Sequence, residues 1–260
     1  MTTNNAHKKA ARQHQAETGK PYSQALRDVD TAAYRPNLVA HLGLDTPRGL
    51  GDDDERTAVT LNLAEPSRGG SGPHCFITGR TGSGKTVLVE RIARSLVQDE
   101  RTAPEVFVHS RLAKGRLPST VTMLDPTSMV EDLVRLAEDR ARENDARNPA
   151  VVLIDDCDGW VTQPRTDKFM SSGGTLRSLV KEGRSLGIHL VLTMQHEHVA
   201  VALGIAGSAA ADNISTGIRL NSPTFSDLRM GEGWLQRSDG GDVHRLRVSG
   251  QDVRFRFEPV

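Results

Sequence analysis

Cysteine, aromatic residues, net charge and long apolar runs are all scarce in this chain, and each scarcity excludes something. Two cysteines, Cys75 and Cys157, in 260 residues leave no room for a disulfide framework or a cysteine-rich metal cluster. Both lie in apolar runs and read as small buried side chains in a reducing, cytoplasmic setting. Aromatics are 4% of the chain and are not interleaved with a basic stripe, which argues against a base-stacking surface. Trp160 and Trp234 therefore read as packing or interface residues. The formal net charge is +0 and the sequence pI about 7.1, so any contact with nucleic acid or an anionic membrane must be local. No run approaches the roughly 18 to 20 apolar residues of a membrane span, and the first residues lack the apolar core of a signal peptide. The expectation is a cytoplasmic chain, recruited to a membrane through a partner.

What is present divides at about residue 55. Residues 1–55 are polar and read as a helical, partly basic arm, with helices around Ala6 to Glu17 and Tyr22 to Val29 separated by Gly19-Lys20-Pro21. Lys8, Lys9, Arg12, Lys20, Arg27 and Arg35 read first as a solvated face and second as a contact for phosphate or a partner. The acidic run Asp52 to Glu55 reads as a solvated turn. From residue 56 to 260, short β-rich apolar runs alternate with helical patterns, which predicts an α/β fold: a mainly parallel sheet flanked by helices. Strands are expected at Val59–Leu63, Cys75–Thr78, Val106–His109, Val121–Leu124, Val151–Asp155 and Ile188–Thr193. Helices are expected at Thr86–Gln98, Ser128–Asn144 and Thr175–Leu186. A hairpin is expected around Ser238-Asp239-Gly240-Gly241.

The segment Gly79-Arg80-Thr81-Gly82-Ser83-Gly84-Lys85-Thr86 fits G-x-x-x-x-G-K-(S/T), with an apolar strand before it and a helix after it, and these residues with Val87 are expected to bind the nucleotide. Glycines let backbone N–H groups turn inward around phosphates at a helix N-terminus. Lys85 would supply a mobile charge for the β- and γ-phosphates of ATP, and the Thr86 hydroxyl would ligate Mg²⁺. A second apolar run, Pro149-Ala-Val-Val-Leu-Ile-Asp155-Asp156, delivers two carboxylates to the sheet's carboxyl edge. Asp155 would join Thr86 around Mg²⁺, and Asp156 would polarise the attacking water. Gln195, at the tip of a third strand, would contact the γ-phosphate or that water. His196 and His198 have metal-like spacing, but no further ligand completes a site, so they read as loop histidines.

Together these segments resemble the FtsK/SpoIIIE family of ring-forming motor ATPases, over roughly Leu61 to the C-terminus. Gly69-Gly-Ser-Gly-Pro-His74, leading into the phosphate loop, looks like the entry to the ATPase modules of EccC, the type VII secretion member. Glu182-Gly-Arg184-Ser-Leu-Gly187-Ile-His189-Leu-Val-Leu-Thr-Met-Gln195 is similar to the signature G-R-x-x-G-(I/V)-H-L-x-L-x-x-Q, the most specific of the matches. Asn213-Ile-Ser-Thr216 with Arg229, and Gly231-Glu-Gly233-Trp-Leu with Gly240-Gly241, resemble the family's later strand and closing hairpin. The resemblance implies an α/β motor core of the P-loop NTPase (RecA-like) class, a hexameric homo-oligomeric ring, ATP between neighbours, and a polymer threaded through the centre. That polymer is double-stranded DNA in most of the family and protein in the secretion branch.

The departures from the family pattern shape the expectation. Asp155-Asp156 replaces aspartate-glutamate, leaving the second carboxylate one methylene shorter and implying slower hydrolysis. The arginine that reaches into the neighbour's site falls at Gly217. Arg219, two residues on along a strand, is the stand-in, with Arg184 and Arg229 as alternatives. Val108-His109-Ser110-Arg111 replaces an aspartate-containing pattern. No segment resembles the family's winged-helix DNA reader or its membrane anchor, which turns the expectation away from sequence-directed translocation by this chain alone. The leading expectation is ATP-driven DNA translocation or transfer. The second is an EccC-type module acting on protein partners, and the third a nucleotide-binding regulator with weak hydrolysis.

Overall fold

Apolar strands alternating with amphipathic helices should cover a sheet on both faces, and the computed structural model has this arrangement. It describes residues 3–25, 37–45, 58–64, 70–110, 115–143, 148–161, 172–195, 202–206, 208, 213–220, 232–237 and 244–247. The chain separates into two units, Met1–Asn37 and Leu38–Val260.

The first unit holds α1 (Thr3–Thr18). It ends where Gly19 adopts φ +69° and donates its N–H to the Gln15 carbonyl at 2.9 Å, a left-handed stop that glycine makes at low cost. Pro21 opens a further turn by accepting from the N–H groups of Gln24 and Ala25. The rest of the second expected helix lies outside the described residues. Lys8, Lys9 and Arg12 are exposed, as a solvated face requires.

The second unit is built on one sheet of ten described strands: β1 (Val39–Asp45), β2 (Ala58–Asn62), β3 (His74–Gly79), β4 (Glu105–His109), β5 (Thr122–Met123), β6 (Ala150–Ile154), β7 (Ile188–Met194), β8 (Ile214–Leu220), β9 (Glu232–Arg237) and β10 (His244–Arg247). Their order is β2-β1-β10-β9-β8-β3-β7-β6-β4-β5. Strands β8, β3, β7, β6, β4 and β5 run parallel. The four at the other side join through antiparallel pairings. The helices are α2 (Lys85–Leu96), α3 (Met129–Glu143), α4 (Asp158–Val161) and α5 (Ser172–Glu182).

Burial explains this order. Every residue of β6 and β7 is buried, as central parallel strands with both faces covered must be. On one face Leu88, Val89, Ile92 and Leu96 of α2 pack on Ala40, Leu61, Ile77, Val108, Leu153, Val191 and Ile218. Each such large apolar side chain contributes about 1.5–3 kcal/mol by leaving water. On the other face Met129 and Leu133 of α3 and Leu176, Leu179 and Val180 of α5 pack on Phe76, Val152, Ile154, Leu190 and Leu192. Cys75 and Cys157 are fully buried free thiols, and burial pushes both pKa values up, so neither is reactive.

The division at residue 55 differs from the structure at one place. Residues 39–45 belong to the sheet as β1, paired with β2 from Val39↔Asn62 to Leu44↔Ala58, and with β10 on its other side. Ala40 and Leu42 are fully buried around an exposed His41, a strand alternation hidden by the polar sequence on either side. Arg91 of α2 donates to the Leu42 carbonyl and the His41 N–H donates to Ser95 Oγ. The early strand thus fixes the helix that follows the phosphate loop. The C-terminal hairpin forms as expected, β9 against β10; its turn at Ser238 to Gly241 lies outside the described residues.

Candidate functional site

Strand β3 ends at Gly79 and α2 begins at Lys85, so residues 80–84 form the strand-to-helix loop. A Cβ on Gly79 would lie 2.5 Å from the Leu220 carbonyl and 2.6 Å from Ser83 Oγ, so only glycine allows the loop to fold back onto β8. Gly82 and Gly84 have φ of +81° and +99°, which L side chains rarely adopt. The N-terminus of α2 has no side-chain cap, leaving its first N–H groups and the positive end of the helix dipole directed at the loop. Ser83 Oγ is buried without a hydrogen-bond partner. A buried orphan hydroxyl costs stability, and here it sits inside a loop built to receive an anion. Arg80, Thr81 and Gly82 are exposed, and Val87 is partly exposed on the first turn of α2.

Lys85 is buried and its Nζ donates to the carbonyls of Gly79 (2.7 Å) and Arg80 (3.1 Å). Burial lowers its pKa, and Asp155, Asp158 and Asp156, in that order of influence, oppose the shift. The ammonium is thus held by the loop's own carbonyls within the field of three carboxylates. The Thr86 hydroxyl donates to Asp155 Oδ2 at 2.7 Å. Strand register makes this contact: Leu153 and Val191 face the α2 side of the sheet, and side-chain alternation sends Asp155 to the same side.

Two residues that sequence reasoning missed complete the surroundings of Asp155. Ser110, just past β4, donates to Oδ2 at 3.2 Å, and Thr193, near the end of β7, donates to Oδ1 at 2.7 Å. Both are buried. The departure Val108-His109-Ser110-Arg111 therefore places a hydroxyl beside the central carboxylate. Glu90, one turn beyond Thr86 on α2, is a further, half-buried carboxylate. Its pKa is raised, by burial first, and its Oε1 lies 3.7 Å from Arg116 Nη1.

A hydroxyl and a carboxylate 2.7 Å apart are hard oxygen donors, the set Mg²⁺ takes when substrate phosphate supplies the remaining ligands. No group of three or more histidine, cysteine, aspartate or glutamate side chains among the described residues forms a dedicated metal cage. Thr86 and Asp155 fit a shared, substrate-dependent site.

The other expected residues divide. Asp156 is exposed directly after Asp155 and has φ +64°. Gln195 is exposed at the carboxyl end of β7, beside β3, and its N–H donates to Asp158 Oδ2 at 2.8 Å. Arg219 pairs in register with Thr78. Its neighbours Ile218 and Leu220 belong to the α2-side core, so Arg219 faces the opposite side from Asp155. Arg184 lies in the turn before β7, at the opposite sheet edge from the phosphate loop. A Cβ on Gly217 would meet nothing within 4 Å, and nothing in the structure explains why a glycine stands there. Arg229, His196 and His198 lie outside the described residues, as do the side chains of Trp160 and Trp234.

Comparison with known proteins agrees with this geometry. The ESX-4 secretion system protein EccC4 of Mycobacterium tuberculosis is 28% identical over 224 residues, covering 68% of this chain and 17% of that protein. The chain thus spans a small part of that relative. Among solved structures, the cytoplasmic domain of the Thermomonospora curvata type VII secretion ATPase EccC superposes with a TM-score of 0.61 at 19% identity, covering 83% of this chain and 29% of that one. The Thermomonospora curvata EccC ATPases 2 and 3 in complex with a signal sequence peptide give 0.55 at 16%, covering 85% and 42%. These likenesses establish the fold. The profile of the AAA ATPase domain matches residues 50–193, which contain the phosphate loop, Asp155 and β7. By that match, over more than half its length and centred on the site just described, this chain belongs to the AAA ATPase domain family and is a P-loop ATPase.

Proposed function

We propose that this chain is an EccC-type ATPase module, within the wider FtsK/SpoIIIE group, that hydrolyses ATP in a homo-oligomeric ring and acts on protein partners. The observation that carries the catalytic part is the convergence of Lys85, Thr86 and Asp155 at the carboxyl edge of the parallel sheet, with Thr86 Oγ1 2.7 Å from Asp155. ATP as substrate would place its phosphates over the uncapped start of α2, with Lys85 turning from the Gly79 and Arg80 carbonyls toward them. Thr86 and Asp155 would hold Mg²⁺, which when bound neutralises charge on the phosphates. Asp156 would orient the water that attacks the γ-phosphorus and accept its proton as the bond to the ADP oxygen breaks. Gln195 would lie at the same edge. Because Arg219 faces away from its own chain's loop, its role would be at a neighbour's nucleotide.

The protein-partner part is supported by EccC4 being a secretion system protein and by the EccC structure being a complex with a signal sequence peptide. This order reverses the leading expectation from sequence, in which double-stranded DNA was the polymer. The neutral net charge gives that reading no global support, and the exposed Lys8, Lys9 and Arg12 are its local remainder. Among the described residues no helix is long and apolar enough to cross a membrane. A membrane-anchored protein is the partner proposed for a membrane link.

The test compares ATPase rates with double-stranded DNA and with a signal sequence peptide at low salt, and measures mass with a non-hydrolysable ATP analogue. The expected result is no stimulation by DNA, stimulation by peptide, and a nucleotide-dependent oligomer. Stimulation by DNA that fades as salt rises, with none by peptide, would return the account to a DNA motor.

A further inference from the structure

Regular pairing between β6 and β7 stops at Ile154↔Leu192. Beyond it, one residue of β7 takes over the contacts of the three residues that follow β6. The Thr193 hydroxyl donates to Asp155 Oδ1 (2.7 Å) and accepts from the Asp156 N–H (2.8 Å), while the Thr193 carbonyl accepts from the Cys157 N–H (2.9 Å). Asp156 is the one residue other than glycine with positive φ among the described residues, at +64°. A left-handed non-glycine persists where its surroundings over-determine it, and the bond to Thr193 is what fixes this one. Without it, Asp156 would relax toward the ordinary backbone regions and swing its carboxylate. Thr193 itself is fully buried, so its hydroxyl has no water to exchange with, and both of its hydrogen-bonding capacities point at the carboxylate pair.

We infer that Thr193 is a positioning residue for ATP hydrolysis: through one hydroxyl it sets the carboxylate of Asp155 toward Thr86 and the backbone that aims Asp156. Its observed bonds run to Asp155, Asp156 and Cys157, so it would act through them and not on the nucleotide itself. Because Gln195 follows directly after the end of β7, a shift of that strand reaches both carboxylates through this hydroxyl. The inference rests on the nucleotide site proposed above.

Thr193→Val removes the hydroxyl and keeps the shape, whereas Thr193→Ser keeps the hydroxyl. Two readouts separate positioning from general loosening: kcat against KM for ATP, and the Mg²⁺ concentration needed for tight binding of a fluorescent non-hydrolysable ATP analogue. In Thr193→Val, kcat should fall about 10- to 100-fold with little change in KM, as expected when reacting groups are displaced by about 1 Å. The Mg²⁺ requirement should rise about tenfold, the usual lower range for losing a group that orients a metal ligand, while analogue affinity without Mg²⁺ stays at the wild-type value. Thr193→Ser should restore both to within about twofold of wild type if the hydroxyl is what matters. Wild-type kcat and Mg²⁺ requirement in Thr193→Val would overturn the inference, as would a Ser variant that fails as the Val variant does. A wild-type protein that binds the analogue but turns over no ATP leaves the Mg²⁺ readout to decide. A wild-type protein that binds no nucleotide would overturn the site reading and this inference with it.

Discussion

Replacing Lys85 by alanine should reduce ATP turnover by about 10²- to 10³-fold, the loss seen when a preorganised charge or donor is removed from a developing negative charge. The size follows from where the ammonium sits. It is buried, already stripped of much of its water, and held by the carbonyls of Gly79 and Arg80. Its desolvation is therefore met before substrate arrives, and turning toward phosphate exchanges neutral carbonyls for charged oxygens. Lys85→Arg should not rescue turnover, because a planar guanidinium cannot stand in for a compact point charge in so tight a loop. The folded state should survive both substitutions: the Arg80 carbonyl released by Lys85 is only partly buried, and leaving the buried Gly79 carbonyl without a partner should cost about 1–3 kcal/mol. Turnover by purified Lys85→Ala within about threefold of wild type, well inside the expected loss, would show that the loop is not the catalytic centre.

The second large effect is on stability against acid. His74, the first residue of β3, is fully buried, and its Nδ1 accepts from the Leu190 N–H at 3.1 Å. Its pKa is lowered to about 3, by burial first and by the neighbouring His189 second, with the Val180 carbonyl pulling weakly the other way. The unfolded chain takes up a proton on this imidazole near pH 6.5, but the folded chain does so only near pH 3. Between those values the unfolded state binds more protons, so stability is complete above about pH 6.5 and falls as pH drops toward 3. From pH 7.5 to 4.5 the loss attributable to His74 should be about 2–3 kcal/mol, at 1.36 kcal/mol per pH unit below the unfolded value. Denaturant midpoints of wild type and His74→Gln at the two pH values isolate it: the variant is less stable at neutral pH but loses less on acidification. Equal losses in both proteins would show that His74 is protonated in the folded state or does not govern the acid response.

Most of the site could be read from the residues because its motifs are local. The loop from Gly79 to Thr86 is specified by glycines at positions that demand positive φ or close approach, and Asp155 by five apolar residues in a row before it. The strand-to-carboxylate logic placed both acids at the right edge of the sheet. What the chain does not announce is side-chain chemistry brought together by pairing. Ser110 lies 45 residues before Asp155 and Thr193 lies 38 after it, and only the order β4-β6-β7 lays them side by side. A rule that looks for hydroxyls at the carboxyl ends of strands flanking an acidic one would have found them. Strand β1 was hidden for a different reason: a short alternating run amid polar sequence has the same composition as an arm. Arg219 shows the limit of spacing arguments, since two residues along a strand keeps a side chain on one face without saying which face that is.

The partner reading moved furthest. Composition gave no global basis for DNA, and the segment from Arg184 to Gln195 only resembles a signature expected of DNA and protein translocases alike. Residues that build the sheet and the nucleotide site do not choose between a DNA and a protein partner, so the proposal takes its direction from relatives. The secretion relatives moved the reading toward protein partners.

The account stands on the pairing of Thr86 with Asp155, and the steady-state ATPase rate of the wild type and Asp155→Asn, with and without Mg²⁺, tests it most directly. The wild type should turn over ATP only with Mg²⁺, and Asp155→Asn should be slower by about 10²-fold or more, since an uncharged amide neither holds the cation nor accepts from the Thr86, Ser110 and Thr193 hydroxyls on both its atoms as a carboxylate does. Equal rates in the two proteins, or turnover that ignores Mg²⁺, would contradict it.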